Sequence, residues 1–237
     1  MIPLRDSAGA PRLSPINLLL IAVNVMVFAC EMWLGPAADS LIAHYGMIPA
    51  KVAAIGSTSV AAFGEALLTI LTALFLHGGV LHLVGNMLYL FIFGPAVETR
   101  FGPRRYLGFY LAAGVAGNLA MVFIDPAARV PVIGASGAIA AVLGAYFVLY
   151  PRARILTLLP VFFLIEFVEV PALVYLLLWF GWQLFSALQS HAFQSMAGGV
   201  AWWAHIGGFL FGLAAAPLLA RKEAPARRRV GVRKAMR

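Results

Sequence analysis

The chain has 237 residues, 62% hydrophobic and 11% charged, with a formal net charge of +8. Soluble domains carry about 25% charged residues, so a soluble fold is excluded and a one-domain, all-α integral membrane protein is expected. A single cysteine, Cys30, excludes a disulfide framework and a Cys-based metal centre.

A membrane-crossing helix needs about 20 mostly apolar residues. Six stretches qualify, at about 16–34, 81–99, 104–124, 134–150, 168–189 and 201–220. Arg5 and Arg12 precede the first one as in a signal peptide. Its apolar core of about 19 residues and the lack of a small-x-small cleavage site make it a retained span. Residues 1–14 and 221–237 read as mobile cytoplasmic tails flanking a six-span domain over 15–220. No tandem repeat or low-complexity tract interrupts it.

Counting basic residues sets the orientation. With six spans and both termini in the cytoplasm, the inner segments hold Arg5, Arg12, Arg100, Arg104, Arg105, Arg152, Arg154 and the eight basic residues from Arg221 onward. That is 15 of the 17, leaving Lys51 and Arg129 outside. The charge is a topology signal, and no nucleic-acid partner is expected. The basic tail also suits anionic lipid.

The outer loop of about 35–80 is largely apolar and is expected to form short interfacial helices. The stretch Ile155 to Phe167, with Pro160 near its middle, is too long to join the following span in one crossing. Its start is expected near the inner interface, with Glu166 and Glu169 beside headgroups.

Polar residues inside a bilayer are costly and are functional candidates. Three clusters share the outer half of the membrane. Ser136, in Gly134-Ala135-Ser136-Gly137, opens the fourth span; it could cap that helix or act as a nucleophile. His205, near the outer end of the sixth span, could hydrogen-bond a carbonyl or meet Ser136. Gly207, Gly208 and Gly212 on one helix, and Gly137, Ala141 and Gly144 on the other, permit close approach. His82 and Asn86, spaced i, i+4 on one helical face, suit an oxyanion better than a metal. His77 lies shortly before them. No carboxylate is expected at that depth, and neither metal nor cofactor is expected.

These residues resemble the motifs of the rhomboid family of intramembrane serine proteases. The resemblance runs through Phe75-Leu76-His77-Gly78-Gly79, His82 to Asn86, Glu98-Thr99-Arg100-Phe101-Gly102, Gly134 to Gly137, Gly144, and Gly198 to Gly208, covering about 15–220. It implies a six-span bundle with Ser136 as nucleophile and His205 as general base. It also implies an oxyanion hole of His82, Asn86 and the Ser136 backbone N–H. Trp179, Phe180 and Trp182 on the fifth span, with Phe193 and Met196 after it, match the family's lateral gate and cap, though they also suit lipid-facing bulk. Many members carry a Trp-Arg pair where this chain has Leu68-Thr69, which puts the anchoring of the first loop in question rather than the chemistry.

The expected activity is serine endopeptidase cleavage of single-span membrane proteins with helix-destabilising residues near their outer end. The expected location is a bacterial inner membrane, with the site open to the non-cytoplasmic side. A non-catalytic rhomboid-like protein that binds membrane clients is the alternative. A small-solute transporter is the remaining rival, and no inverted repeat favours it.

Overall fold

A computed structural model describes residues 1–9, 14–54, 60–161, 164–192 and 201–221. The expected cap residues Phe193 and Met196, and the tail beyond Arg221, lie outside these. The chain is mostly helical, with α1 (Pro15–Leu34), α2 (Ala38–Tyr45), α3 (Pro49–Ala53), α4 (Val60–Thr72), α5 (Val80–Phe101), α6 (Pro103–Ile124), α7 (Ser136–Leu149), α8 (Ala172–Ala192) and α9 (Trp202–Leu219). Among the described residues, five segments are long and apolar enough to cross a membrane: Pro15–Tyr45, Val80–Phe101, Pro103–Ile124, Ala172–Ser190 and Trp202–Leu219. The remaining expected span, α7, has 14 residues, about 21 Å at the helical rise. That is well short of a hydrocarbon core of about 30 Å.

The all-α expectation needs correcting. Strands β1 (Ile2–Asp6), β2 (Arg154–Val161) and β3 (Leu164–Pro171) form an antiparallel sheet in the order β1-β2-β3. Ile2–Asp6, expected as part of a mobile tail, pairs with β2 from Ile2↔Leu158 to Asp6↔Ile155. The fifth expected span, α8, accordingly starts at Ala172, and 168–171 belong to β3. The physical reason lies in β2, where Ile155 and Thr157 are fully buried and their neighbours Leu156 and Leu158 are not. That is a strand's period of two, which the uniform hydrophobicity of the stretch conceals.

Chain direction alternates between the long helices, so the sheet closes one end of the bundle and α2 to α4 the other. The N-terminus of α1 is held at the sheet end, with Pro15 at its first position. There the Glu98 carboxylate of α5 accepts the Ile16 and Asn17 N–H groups at 3.2 and 2.8 Å. A charged acceptor at a helix N-terminus satisfies orphan donors and complements the dipole. The sheet is tied to α7 at the same end, where the Tyr146 hydroxyl donates to Asp6 Oδ2 at 2.9 Å.

The first loop is anchored without a Trp-Arg pair. Thr72 Oγ1 donates to the Tyr45 carbonyl at 2.7 Å, Asn118 Nδ2 donates to the Ile70 carbonyl at 2.8 Å, and Met47 bridges to Val132. Leu68 and Thr69 themselves line a surface cavity with Lys51 and Arg129.

Helix α7 is the centre of the bundle, buried continuously from Gly137 to Tyr146. It lies backbone to backbone against α9: a Cβ on Gly208 would run into the Gly137 carbonyl, one on Gly212 into the Ala141 carbonyl, and one on Gly144 into the Phe209 carbonyl. Small residues three to four apart permit such contact, where dispersion acts in place of a hydrophobic drive. The consequence is positional. Ser136-Gly137 and Ala204-His205 are fixed at the same level.

Candidate active site

Ser136, His205, His82 and Asn86 line one cavity of about 250 Å³, together with Tyr89, Trp179, Gln183 and Trp202. All four residues singled out in the sequence therefore meet. Ser136 is the first helical residue of α7, and the N-cap position belongs to Ala135, with no side-chain capping bond. The capping alternative is not what the structure shows. Ser136 belongs to the first turn of α7, whose backbone N–H groups have no intrahelical partners.

The approach to Ser136 depends on Gly134, whose φ of +119° is open chiefly to glycine. Its amide donates to the Ala73 carbonyl at 2.8 Å. A Cβ there would lie 2.8 Å from both Cε1 and Nε2 of His82. The His82 imidazole thus lies against the backbone of Gly134, two residues before Ser136. His82 Nδ1 accepts a long hydrogen bond of 3.4 Å from the Gly78 N–H. A neutral ring accepting at Nδ1 carries its proton on Nε2, on the Gly134 side.

Asn86 donates one amide hydrogen from Nδ2 to His77 Nε2 at 3.1 Å. His77 Nδ1 lies 3.2 Å from the Phe75 carbonyl, an acceptor, so the ring donates there and accepts from Asn86. One amide hydrogen of Asn86 is pinned and the other remains for the cavity. Burial, with the His82 ring close by, pushes His77 down to about 4, which keeps it neutral and able to accept. The His77 N–H in turn donates to both carboxylate oxygens of Glu31, at 3.2 and 3.3 Å. The expectation of no carboxylate at this depth therefore fails. Glu31 was overlooked because it stands in the otherwise apolar first span, far from the other motifs in sequence.

His205 is held on three sides. Trp179 lies tilted at 34° with ring centroids 6.2 Å apart, and Trp202 stands edge-on at 6.0 Å. Nδ1 lies 2.7 Å from Gln183 Oε1. No hydrogen bond joins Ser136 to His205 among the described residues. Apo sites often tighten such contacts only with substrate. Gln183, like Glu31, is a residue of this site that the sequence reading missed. Its signal was available: an amide at the middle of an apolar helix is costly unless partnered.

A second cavity of about 420 Å³ adjoins the first, between Tyr89 on α5 and Tyr175, Leu178, Trp179 and Trp182 on α8. The two share Tyr89, Trp179 and Gln183. Of the expected gate aromatics, Trp179 and Phe180 pack on Phe209 at 6.0 and 4.7 Å, while Trp182 is 61% exposed. Two of the three thus have packing partners on α9, and the third is largely open.

The family model described as Rhomboid domain matches residues 64–222. "Presenilin-associated rhomboid-like protein A, mitochondrial" of Danio rerio is 32% identical over 200 residues, 82% of this chain and 45% of its own. "Rhomboid protein 1, mitochondrial" of Saccharomyces cerevisiae is 31% identical over 153 residues, 60% of this chain and 39% of its own. "Rhomboid protease GluP" of Bacillus subtilis is 46% identical over 76 residues, 32% of this chain and 14% of its own. The chain spans less than half the length of each. Two of the three carry mitochondrial names, so the expected bacterial inner membrane draws no support from them.

Proposed function

Because the chain belongs to the rhomboid family of integral membrane proteins, we propose that it is an intramembrane serine endopeptidase cleaving single-span membrane proteins. Ser136 Oγ attacks the scissile carbonyl carbon as His205 takes its proton. The amine leaves with that proton, and water then resolves the acyl-enzyme through the same base. The oxyanion is met by the His82 Nε2–H, the second Asn86 amide hydrogen and the Ser136 backbone N–H, at the positive end of the α7 dipole. No metal or cofactor enters the scheme.

The observation that carries this reading is a serine at the head of a buried helix, free of capping duty, in one cavity with a histidine and two oriented donors. The short α7 supports a site recessed below the membrane surface and wetted from one side. The cleft between α5 and α8 supports lateral entry of an unwound substrate segment.

Six spans with both termini in the cytoplasm fit the distribution of charge. Arg5 and Arg154 line one cleft at the sheet end, where Arg105 also donates to the Leu219 carbonyl. Lys51 and Arg129 line a cavity at the end that holds Ser136. The site then opens to the non-cytoplasmic side.

The test is cleavage of a tagged single-span substrate in liposomes, alongside labelling by a fluorophosphonate probe. Wild type should cut and label, and folded Ser136→Ala and His205→Ala should do neither. Cleavage by Ser136→Ala at the wild-type rate would sink the reading and leave client binding in its place.

A further inference from the structure

We propose that Gln183 on α8 is a positioning residue for His205, selecting the tautomer in which Nε2 is the basic nitrogen. The inference rests on the protease reading and extends it. Gln183 is 5% exposed and stands mid-helix among apolar and aromatic residues. Burying an amide there costs free energy unless its polar atoms are partnered, and Leu would pack or face lipid without that cost. The amide has a partner: Oε1 lies 2.7 Å from His205 Nδ1. A carbonyl oxygen can only accept, so the proton sits on Nδ1 and the lone pair of the neutral ring on Nε2.

The two tryptophans around His205 restrict where its plane can lie, but aromatic surfaces do not distinguish one ring nitrogen from the other. Gln183 does. Unlike a carboxylate, the neutral amide orients the imidazole without contributing a counter-charge to the imidazolium that forms during attack. The device is therefore one of geometry.

Its location adds a consequence. Gln183 lines both the site and the adjoining cleft between α5 and α8. The residue that orients the base thus belongs to the helix that borders the substrate route, and the base is correctly oriented only while α8 is seated against α9.

The test uses the full chain in detergent, with kcat and KM on a fluorogenic single-span substrate, the rate of fluorophosphonate labelling, and the thermal midpoint. Gln183→Leu removes the acceptor at similar size, and Gln183→Glu restores an acceptor at the same reach. Gln183→Leu should lose about ten-fold in kcat and labelling rate, with KM and thermal midpoint unchanged, and Gln183→Glu should recover most of the loss. A Gln183→Leu protein labelled at the wild-type rate overturns the proposal. So does an equal loss in both variants, or a loss accompanied by a lowered thermal midpoint, since each marks a packing role. Wild type that is neither labelled nor active, like a Ser136→Ala control, overturns the protease reading itself. Labelled wild type with an unaffected Gln183→Leu overturns only the role of Gln183.

Discussion

His77 and Asn86 are locked together by a 3.1 Å hydrogen bond in which the amide donates to the imidazole. The pairing leaves Asn86 a single spare hydrogen with a fixed direction. Asn86→Ala should therefore lower kcat by about 10²–10³, the usual cost of one oxyanion donor, with little change in KM. His77→Leu leaves the amide in place but free to rotate, so it should cost less than Asn86→Ala. Steady-state kinetics on the two variants and their double mutant checks this. Full additivity would show that the two residues act separately.

The same histidine gives a pH expectation. Its folded-state value of about 4 lies below the ordinary 6.5. Between those limits the unfolded chain binds a proton that the folded chain refuses. The stability His77 permits is thus complete above about 6.5 and declines as the pH falls toward about 4. Glu31 faces its backbone N–H from α1, and His82 faces its ring from α5. Replacing the ring with a neutral group, as in His77→Gln, should flatten the fall of thermal midpoint over that range relative to wild type. Parallel curves for the two proteins would contradict the assignment.

The contact between α7 and α9 makes a third expectation. Gly208→Val must displace the Gly137 carbonyl, one residue from Ser136. Overpacking of this kind costs about 1–3 kcal/mol, and here it also shifts the backbone next to Ser136. Thermal unfolding should show the loss, with activity falling further than stability alone explains. Gly181→Ala on α8, where an added methyl meets nothing within 4 Å, is the matched control and should be neutral.

Much of this is legible in the sequence. Hydrophobic length located the helices because a bilayer demands it, and the small residues of α7 and α9 announced a close pair. Ser136, His205, His82 and Asn86 stood out because polar groups in apolar runs need a reason. The sheet was not legible. Its register joins Ile2–Asp6 to a strand some 150 residues later, and such pairing leaves only a brief alternation at Ile155 and Thr157. Glu31 and Gln183 were missed for a different reason. Each is a lone polar residue in an apolar helix, and only the fold reveals its partner.

The Tyr146–Asp6 hydrogen bond has a practical side. Helix α7 carries Ser136 at its head and Tyr146 near its foot, and Tyr146 is held by the first strand. A label or fusion partner attached to that strand would pull, through one hydroxyl, on the helix that carries Ser136. A purification handle for this protein is better attached away from that strand.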